Sequence, residues 1–475
     1  MRRRTLLGSG LAMAAVAAAS PGLAQARTRR LSWNRFRQTP GYRALGDAID
    51  RMRRNRDPAD PDSWEYWARI HQTDCPHGQG YFLAWHRGYL ARFEARLRAI
   101  SGVATLTVPY WDYFTDPQMP IEFRQQETPF FYWSRTNTDV SAALGYGFTD
   151  PSVTDFERGR PNAMEPSIEQ WPHNRVHSVI GGEMGGMLSP RDPIFWLHHA
   201  NVDRLWSAWV RAGGGRAMPS RDAPYWRGSF SYGREAPMAR IDTYDTAGLG
   251  YDYDVETLPA PTFRLAPPAP AARALRMAPG GTDGRTLSLS ETDQPLVLGE
   301  RSFSVRVPLD AAGPSTVEPV LAPPPPPPPP APVVGAPPGA APAPRPVMAA
   351  PPPPQVNIVL DDVRLTEVGR EGGFFYDVYV NLPRRGSAPE MTRLVGSFGP
   401  FDIATAAAHA GDEGHAAHDE GRGARIVLPA TEILRDLPPD ALRRLTVSFV
   451  RVDGPISPRG PAITVGALRV EVAGG

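Results

Sequence analysis

The 475 residues suffice for two or three domains, each able to bury a core of its own. Fifty-one basic side chains against fifty acidic ones leave a net charge of +1, which excludes the broad field that draws a protein to nucleic acid or to an anionic membrane surface. A small neutral partner suits this balance, and no nucleic acid and no stable membrane anchor are expected.

At the amino end, Arg2, Arg3 and Arg4 precede an aliphatic run from Leu11 to Ala19, and Ala24-Gln25-Ala26 follows. These are the three parts of a signal peptide covering residues 1–26. Arg3-Arg4-Thr5-Leu6-Leu7 is similar to a twin-arginine signal, which exports proteins already folded around a cofactor; a general secretory signal with an arginine-rich start is the alternative. Either predicts an exported protein, periplasmic or secreted. No other stretch reaches the roughly 18–20 apolar residues of a membrane span. The lone cysteine, Cys75, cannot form an internal disulfide, although export places it in an oxidising compartment.

Residues 27–260 are rich in tryptophan and in helical spacing, with Trp64, Trp67, Ala68 and His71 at i, i+3, i+4 and i+7. A mainly α domain follows, with helix starts expected near Asp62 and at Asp192-Pro193. Over 261–321 the pattern changes to alternation, as in Phe303, Val305, Val307 and Leu309, which predicts a β-rich extension packed on the helical domain. Residues 322–354 are dominated by proline, including an unbroken run from Pro323 to Pro330, and read as a linker between domains that need not be rigidly docked. Beyond it, 355–475 alternate again at Val356, Ile358, Leu360 and at Phe374, Tyr376, Val378, Val380, predicting a carboxyl-terminal β-sandwich.

Seven of the ten histidines fall in two clusters within the helical stretch: His71, His77 and His86, then His173, His177, His198 and His199. His173 and His177 stand at i and i+4, so a helix puts both imidazoles on one face. His199 lies on the stripe Trp196, His199, Asp203, Trp206 of a second helix and completes a three-histidine set. In the first cluster His71 ends one helix, His86 begins another, and His77 sits in the loop between them. Histidine-only coordination suits copper and zinc; two matched sets of three point to paired copper, and the chain lacks the short histidine-glutamate-x-x-histidine signature of zinc proteases.

Two longer motifs surround these residues. His77-Gly78-Gln79-Gly80-Tyr81-Phe82-Leu83-Ala84-Trp85-His86-Arg87-Gly88-Tyr89-Leu90-Ala91-Arg92-Phe93-Glu94 resembles the first copper signature of the tyrosinase family, and Asp192-Pro193-Ile194-Phe195-Trp196-Leu197-His198-His199-Ala200-Asn201-Val202-Asp203 resembles the second. The resemblance implies a four-helix bundle holding two copper ions, one on His71, His77 and His86 and the other on His173, His177 and His199. It makes His198 an adjacent residue outside the ligand set, and Asp203 is the candidate to fix a ligand ring from behind. Cys75, two residues before His77, is similar to the cysteine that forms a thioether to that histidine in fungal tyrosinases and molluscan haemocyanins. The resemblance further implies oxidation of phenols or catechols to o-quinones with dioxygen. A haemocyanin-like oxygen carrier using the same six histidines, or an o-aminophenol oxidase, remains open.

A phenol must lose its proton as it binds, so a base near the second site favours monophenol turnover. Asn174 and Glu169 resemble the pair that holds an activating water in plant and bacterial relatives, with Glu165 the rival position. The loop Gly181-Gly182-Glu183-Met184-Gly185-Gly186-Met187-Leu188 is expected to border an open or mobile substrate mouth. Phe375-Tyr376-Asp377-Val378-Tyr379-Val380-Asn381 resembles the carboxyl-terminal domain of plant polyphenol oxidases, which implies a latent enzyme whose cover is released by cleavage in the proline-rich segment. His409, His415 and His418 lie in a loop rich in alanine, glycine and acidic residues, which reads as a polar insertion or as a device for capturing copper.

Overall fold

The computed structural model describes residues 27–260 apart from Pro161, and most of 287–473. Residues 1–26, read from the sequence as a signal peptide, residues 261–286 and the proline-rich residues 323–353 lie outside the described residues, as do His415, His418 and the side chain of His409.

The helices that matter are α1 (Gly41–Arg54), α2 (Trp64–Asp74), α3 (Phe82–Ser101), α4 (Arg175–Ile180), α5 (Ile194–Ala212) and, far along the chain, α6 (Pro400–Ala410). Trp64, Trp67, Ala68 and His71 all lie buried on the inner face of α2, as their spacing requires. The residue before this helix is Ser63, with no side-chain cap; Asp62, expected to open it, pairs with Arg96 at 3.3 Å instead. Gly102 closes α3 with a φ of 71°, the left-handed turn that glycine adopts at least cost. The start of α5 follows the sequence reading, for Asp192 Oδ1 accepts a hydrogen bond from Ile194 N at 3.0 Å.

Aromatic rings weld these helices together. Trp196 of α5 stacks on Phe93 of α3 with centroids 3.4 Å apart, and Trp64 and Trp67 of α2 meet Trp196 edge-on at 6.1 and 6.4 Å. Each such buried ring contributes about 1.5–3 kcal/mol. Strand β1 (Thr28–Arg30) runs parallel to β2 (Tyr251–Tyr253), so the two ends of the helical region meet and carry Arg30 into the interior.

Beyond residue 286 the described strands are β3 (Leu287–Glu291), β4 (Leu296–Leu298), β5 (Phe303–Arg306), β6 (Gln355–Leu365), β7 (Phe374–Val380), β8 (Arg393–Phe398), β9 (Ala424–Pro429), β10 (Thr446–Asp453) and β11 (Ile463–Ala473). They form two antiparallel sheets, in the orders β8-β7-β10-β5 and β9-β6-β11-β3, with β4 also paired to β11. Val356, Ile358 and Leu360 of one sheet and Phe374, Tyr376, Val378 and Val380 of the other share a single core.

Here the structure departs from the sequence reading. Strands β3, β4 and β5 precede the proline-rich segment, yet they pair with β10 and β11, which follow it. The extension joins the carboxyl-terminal sheets and not the helical domain, because its short strands find open sheet edges there. Val307 is buried in the sheet core and Val305 packs against it, as the alternation predicts, while Phe303 at the start of the edge strand β5 is 40% exposed.

The sheet region is firmly seated on the helices. Phe375, pointing the opposite way from its β7 neighbours, belongs to the helical core. Arg175 forms an ion pair with Asp377, hydrogen-bonds Ser397 Oγ through Nε at 3.1 Å, and lies between Trp171 and Phe375 at 4.2 and 4.4 Å from their centroids. Among the described residues, no helix is long and apolar enough to cross a membrane.

Candidate metal centre

The two histidine clusters of the sequence are two clusters in space. Potential ligand atoms of His71, Cys75, His77 and His86 all lie within 4.8 Å of one another, and those of His173, His177, His198 and His199 do likewise. All eight side chains are buried. His71 comes from the last turn of α2, His77 from the connection to α3, and His86 from the second turn of α3. His177 is on α4, His173 is on the irregular helical turn Glu169–Asn174 leading into it, and His198 and His199 are on α5.

The clusters face each other. His86 stacks on His199 with centroids 4.1 Å apart and planes 13° from parallel, and His77 stacks on His173 at 5.6 Å. Phe82 and Phe195 wall the space, Phe82 lying 4.6 Å from His173 and 4.7 Å from His86, and Phe195 lying 4.2 Å from His199 and 5.0 Å from His71.

The rings are held from behind, mostly by backbone. His71 Nδ1 lies 2.7 Å from Met187 O, His86 Nδ1 2.9 Å from Phe82 O, His177 Nδ1 2.7 Å from Met184 O, and His173 Nδ1 2.7 Å from Asn174 Oδ1. Each acceptor fixes the tautomer with the proton on Nδ1, leaving the Nε2 lone pair to point inward. Nε2 of His173 and of His177 are 3.3 and 3.4 Å from Nε2 of His199. Three converging nitrogens hold at most one proton between them, so a cation satisfies this donor set and a hydrogen-bond network does not.

The electrostatics agree. Burial, reinforced by neighbouring imidazoles, holds His86, His177, His198 and His199 well below the ordinary imidazole value, and burial takes His173 down to about 3 despite its bond to Asn174. Neutral imidazoles are the form that binds a metal. Cys75 Sγ lies 3.7 Å from His77 Nε2 and 3.5 Å from His86 Nε2, and burial pushes its thiol up. Neither ring nitrogen of His198 has a hydrogen-bond partner among the described residues; the ring stacks on His173 at 5.2 Å and faces Tyr113 at 5.7 Å.

One residue behaves differently from the sequence reading. Asp203 does not hold a ligand ring: it accepts from Arg87 Nε at 2.6 Å, Arg30 NH1 at 3.0 Å, and the hydroxyls of Tyr251 and Tyr253 at 2.6 Å. Burial alone would raise its carboxyl, but the two guanidinium groups hold it below the ordinary value. One helical turn past His199, it has rotated away towards the β1–β2 pair. Glu169 accepts from Gly78 N at 2.7 Å and forms an ion pair with Arg158, while Asn174 donates from Nδ2 to Asp402 Oδ1 at 2.7 Å. Glu165, the rival position, is buried against the start of α3, accepting from Leu83 N at 3.2 Å and Tyr225 OH at 3.0 Å, and burial takes it up to about 7.

Two features escaped the sequence. The glycine-rich loop, read as an open mouth, supplies the carbonyls of Met184 and Met187 that orient His177 and His71. Phe401, at the start of α6, stacks on His177 with centroids 4.1 Å apart and meets His77 and His173 at 5.2 and 5.5 Å. One ring from the sheet region therefore touches both clusters, and no sequence signal marked it.

Comparison with known proteins agrees with this arrangement. The family model described as the common central domain of tyrosinase matches residues 61–143 and 122–212. A tyrosinase, HcTyr1, of Hahella sp. (strain CCB-MM4) is 30% identical, the match covering 53% of this chain and 67% of that protein. Polyphenol oxidase II of Ipomoea batatas is 29% identical, the chain spanning about half of its length (48%). Two solved structures share the fold across both regions: latent apple tyrosinase, with a TM-score of 0.50 at 20% identity over 94% of this chain and 97% of that one, and latent aurone synthase from natural source, with 0.52 at 18% over 94% and 90%. The chain therefore belongs to the tyrosinase family, binuclear copper oxidoreductases whose two metal sites the paired histidine clusters provide.

Proposed function

We propose that this protein oxidises phenols or catechols to o-quinones with dioxygen. The observation that carries the reading is the face-to-face placement of two buried three-histidine sets, joined at the His86–His199 stack. In this reading His71, His77 and His86 hold one copper and His173, His177 and His199 the other, and α2, α3, α4 and α5 form the four-helix bundle around them. A reduced copper pair supplies the two electrons that dioxygen needs, and the protein keeps the ligand rings neutral and fixed and the cavity walled by Phe82 and Phe195. The 3.7 Å approach of Cys75 Sγ to the His77 ring supports a thioether between them, formed with loss of two hydrogens to an oxidant such as copper and dioxygen. Asn174 beside His173 supports monophenol as well as diphenol turnover.

Phe401 supports a latent state, in which the sheet region covers the centre until this ring is displaced. The names of the two solved relatives describe latent enzymes as well. The arginine-rich, apolar start supports export. Copper analysis together with a quinone colour test on L-dopa checks the function. Two coppers per chain with colour, rising when the sheet region is displaced, are expected; two coppers and no colour from the uncovered protein would leave an oxygen carrier, and fewer than two coppers would end the reading.

A further inference from the structure

The turn from Gly181 to Leu188 serves both metal sites at once. Its Met184 carbonyl orients His177 and its Met187 carbonyl orients His71, each at 2.7 Å. The root of this turn is gripped by the sheet region. Gly182 N donates to Glu371 O at 3.1 Å, Gly373 N donates to Ser178 O at 2.8 Å, and Thr136 Oγ1 donates to the same Glu371 carbonyl. Gly181 and Gly372 press together, both in the left-handed region with φ of 67° and 75°. A Cβ on Gly372 would lie 2.5 Å from Gly181 Cα, and one on Gly181 would lie 2.3 Å from Glu371 O. Backbone meets backbone here, so no side chain can swing away to relieve a larger residue. The far side of the turn is tied down separately, by Glu183 N on Ser134 Oγ at 3.0 Å and by Arg191 bridging Glu183 and Glu65 at 2.9 and 2.6 Å.

We infer that the Glu371–Gly373 turn of the sheet region is a positioning element of the metal centre, fixing through Gly181 and Gly182 the two carbonyls that orient His177 and His71. This rests on the copper reading above and differs from the covering role of Phe401. Covering governs access to the centre; positioning governs how tightly the centre holds its metal. Partners that orient a ligand ring are worth about 10–100-fold in metal affinity, and this turn reaches one ring in each site.

The test is equilibrium competition for copper between the full-length protein and a chelating dye, because an equilibrium constant does not depend on how fast metal passes Phe401. Gly372→Ala should lower copper affinity roughly tenfold and shift the visible absorption of the copper-loaded protein, while thermal unfolding of the metal-free chain shows that it folds. Thr136→Val, which keeps the glycine contact and removes the hydroxyl on Glu371 O, should lower affinity roughly threefold, and Thr136→Ser should restore it. Wild-type affinity in Gly372→Ala and Thr136→Val overturns the inference. Should Gly372→Ala fail to fold, the Thr136→Val and Thr136→Ser pair decides it. Failure of the wild-type chain itself to bind two coppers would refute the copper reading instead, and is seen before any variant is compared.

Discussion

Asn174 and Asp402 share a 2.7 Å hydrogen bond that crosses from the metal centre to the sheet region. The other end of the same amide, Oδ1, lies 2.7 Å from His173 Nδ1. One side chain thus senses both the orientation of a ligand ring and the seating of the cover.

Burial raises the Asp402 carboxyl to about 7, against the bonds it accepts from Gly399 N and Asn174. The seated state therefore holds a proton that the displaced, solvated carboxyl releases near its ordinary value of about 3.9. Seating is fully favoured below that value and weakens as pH rises towards about 7. Catechol turnover by the full chain should rise across this window relative to Asp402→Asn, whose seating lacks this proton dependence. Parallel pH–rate curves for the two proteins would contradict the assignment.

Phe401→Ala removes the ring that lies against His177, His77 and His173. Losing the burial of one phenyl, about 1.5–3 kcal/mol, should raise kcat/KM on a small catechol by roughly 10–100-fold. Copper content per chain, measured alongside, should stay at the wild-type value.

His199→Ala takes away the nitrogen on which Nε2 of His173 and His177 converge. Copper should fall from two per chain towards one, with quinone formation lost. Elemental analysis of the purified variant provides the check, and cooperative unfolding of the metal-free form distinguishes metal loss from misfolding.

Asp203→Asn leaves Arg87 buried without its carboxylate and Arg30 with Glu94 alone. Removing one partner of such a buried group costs about 3–5 kcal/mol. Denaturant unfolding of the metal-free protein should show this loss, in an experiment blind to the copper ligands.

Asn174→Gly should lower the rate on tyrosine relative to dopa severalfold, and Glu169→Gln should do so only if the carboxylate leaves Arg158 and reaches the centre during turnover. Steady-state rates on the two substrates, after displacement of the cover, read this directly. An unchanged ratio in Asn174→Gly removes the support for monophenol turnover.

The two histidine clusters were legible because residue type and local spacing carry them: imidazoles at i and i+4, or flanking a short connection, can converge only in a few ways. Partners that act through backbone were not legible. Met184 and Met187 contribute carbonyl oxygens, so their side chains give no sign of the role. Asp203 was misread because a helical stripe fixes direction around one axis but not which neighbour fills the next turn. Phe401 meets His177 across more than two hundred residues of chain, and no periodicity encodes a contact of that range. Alternation located the strand at Phe303–Arg306, but strand pairing is a choice between sheet edges that alternation does not record.

That pairing bears on how the cover can be lost. Strands β3, β4 and β5 lie on one side of the proline-rich stretch and their partners β10 and β11 on the other, so the chain on both sides of the stretch is held within the same pair of sheets. A protease acting there makes a nick and frees nothing: the two pieces should stay together in native buffer and separate only in denaturant. A cut that lets the whole sheet region depart must fall earlier, between Ala260 and Leu287, where the chain passes from one core to the other.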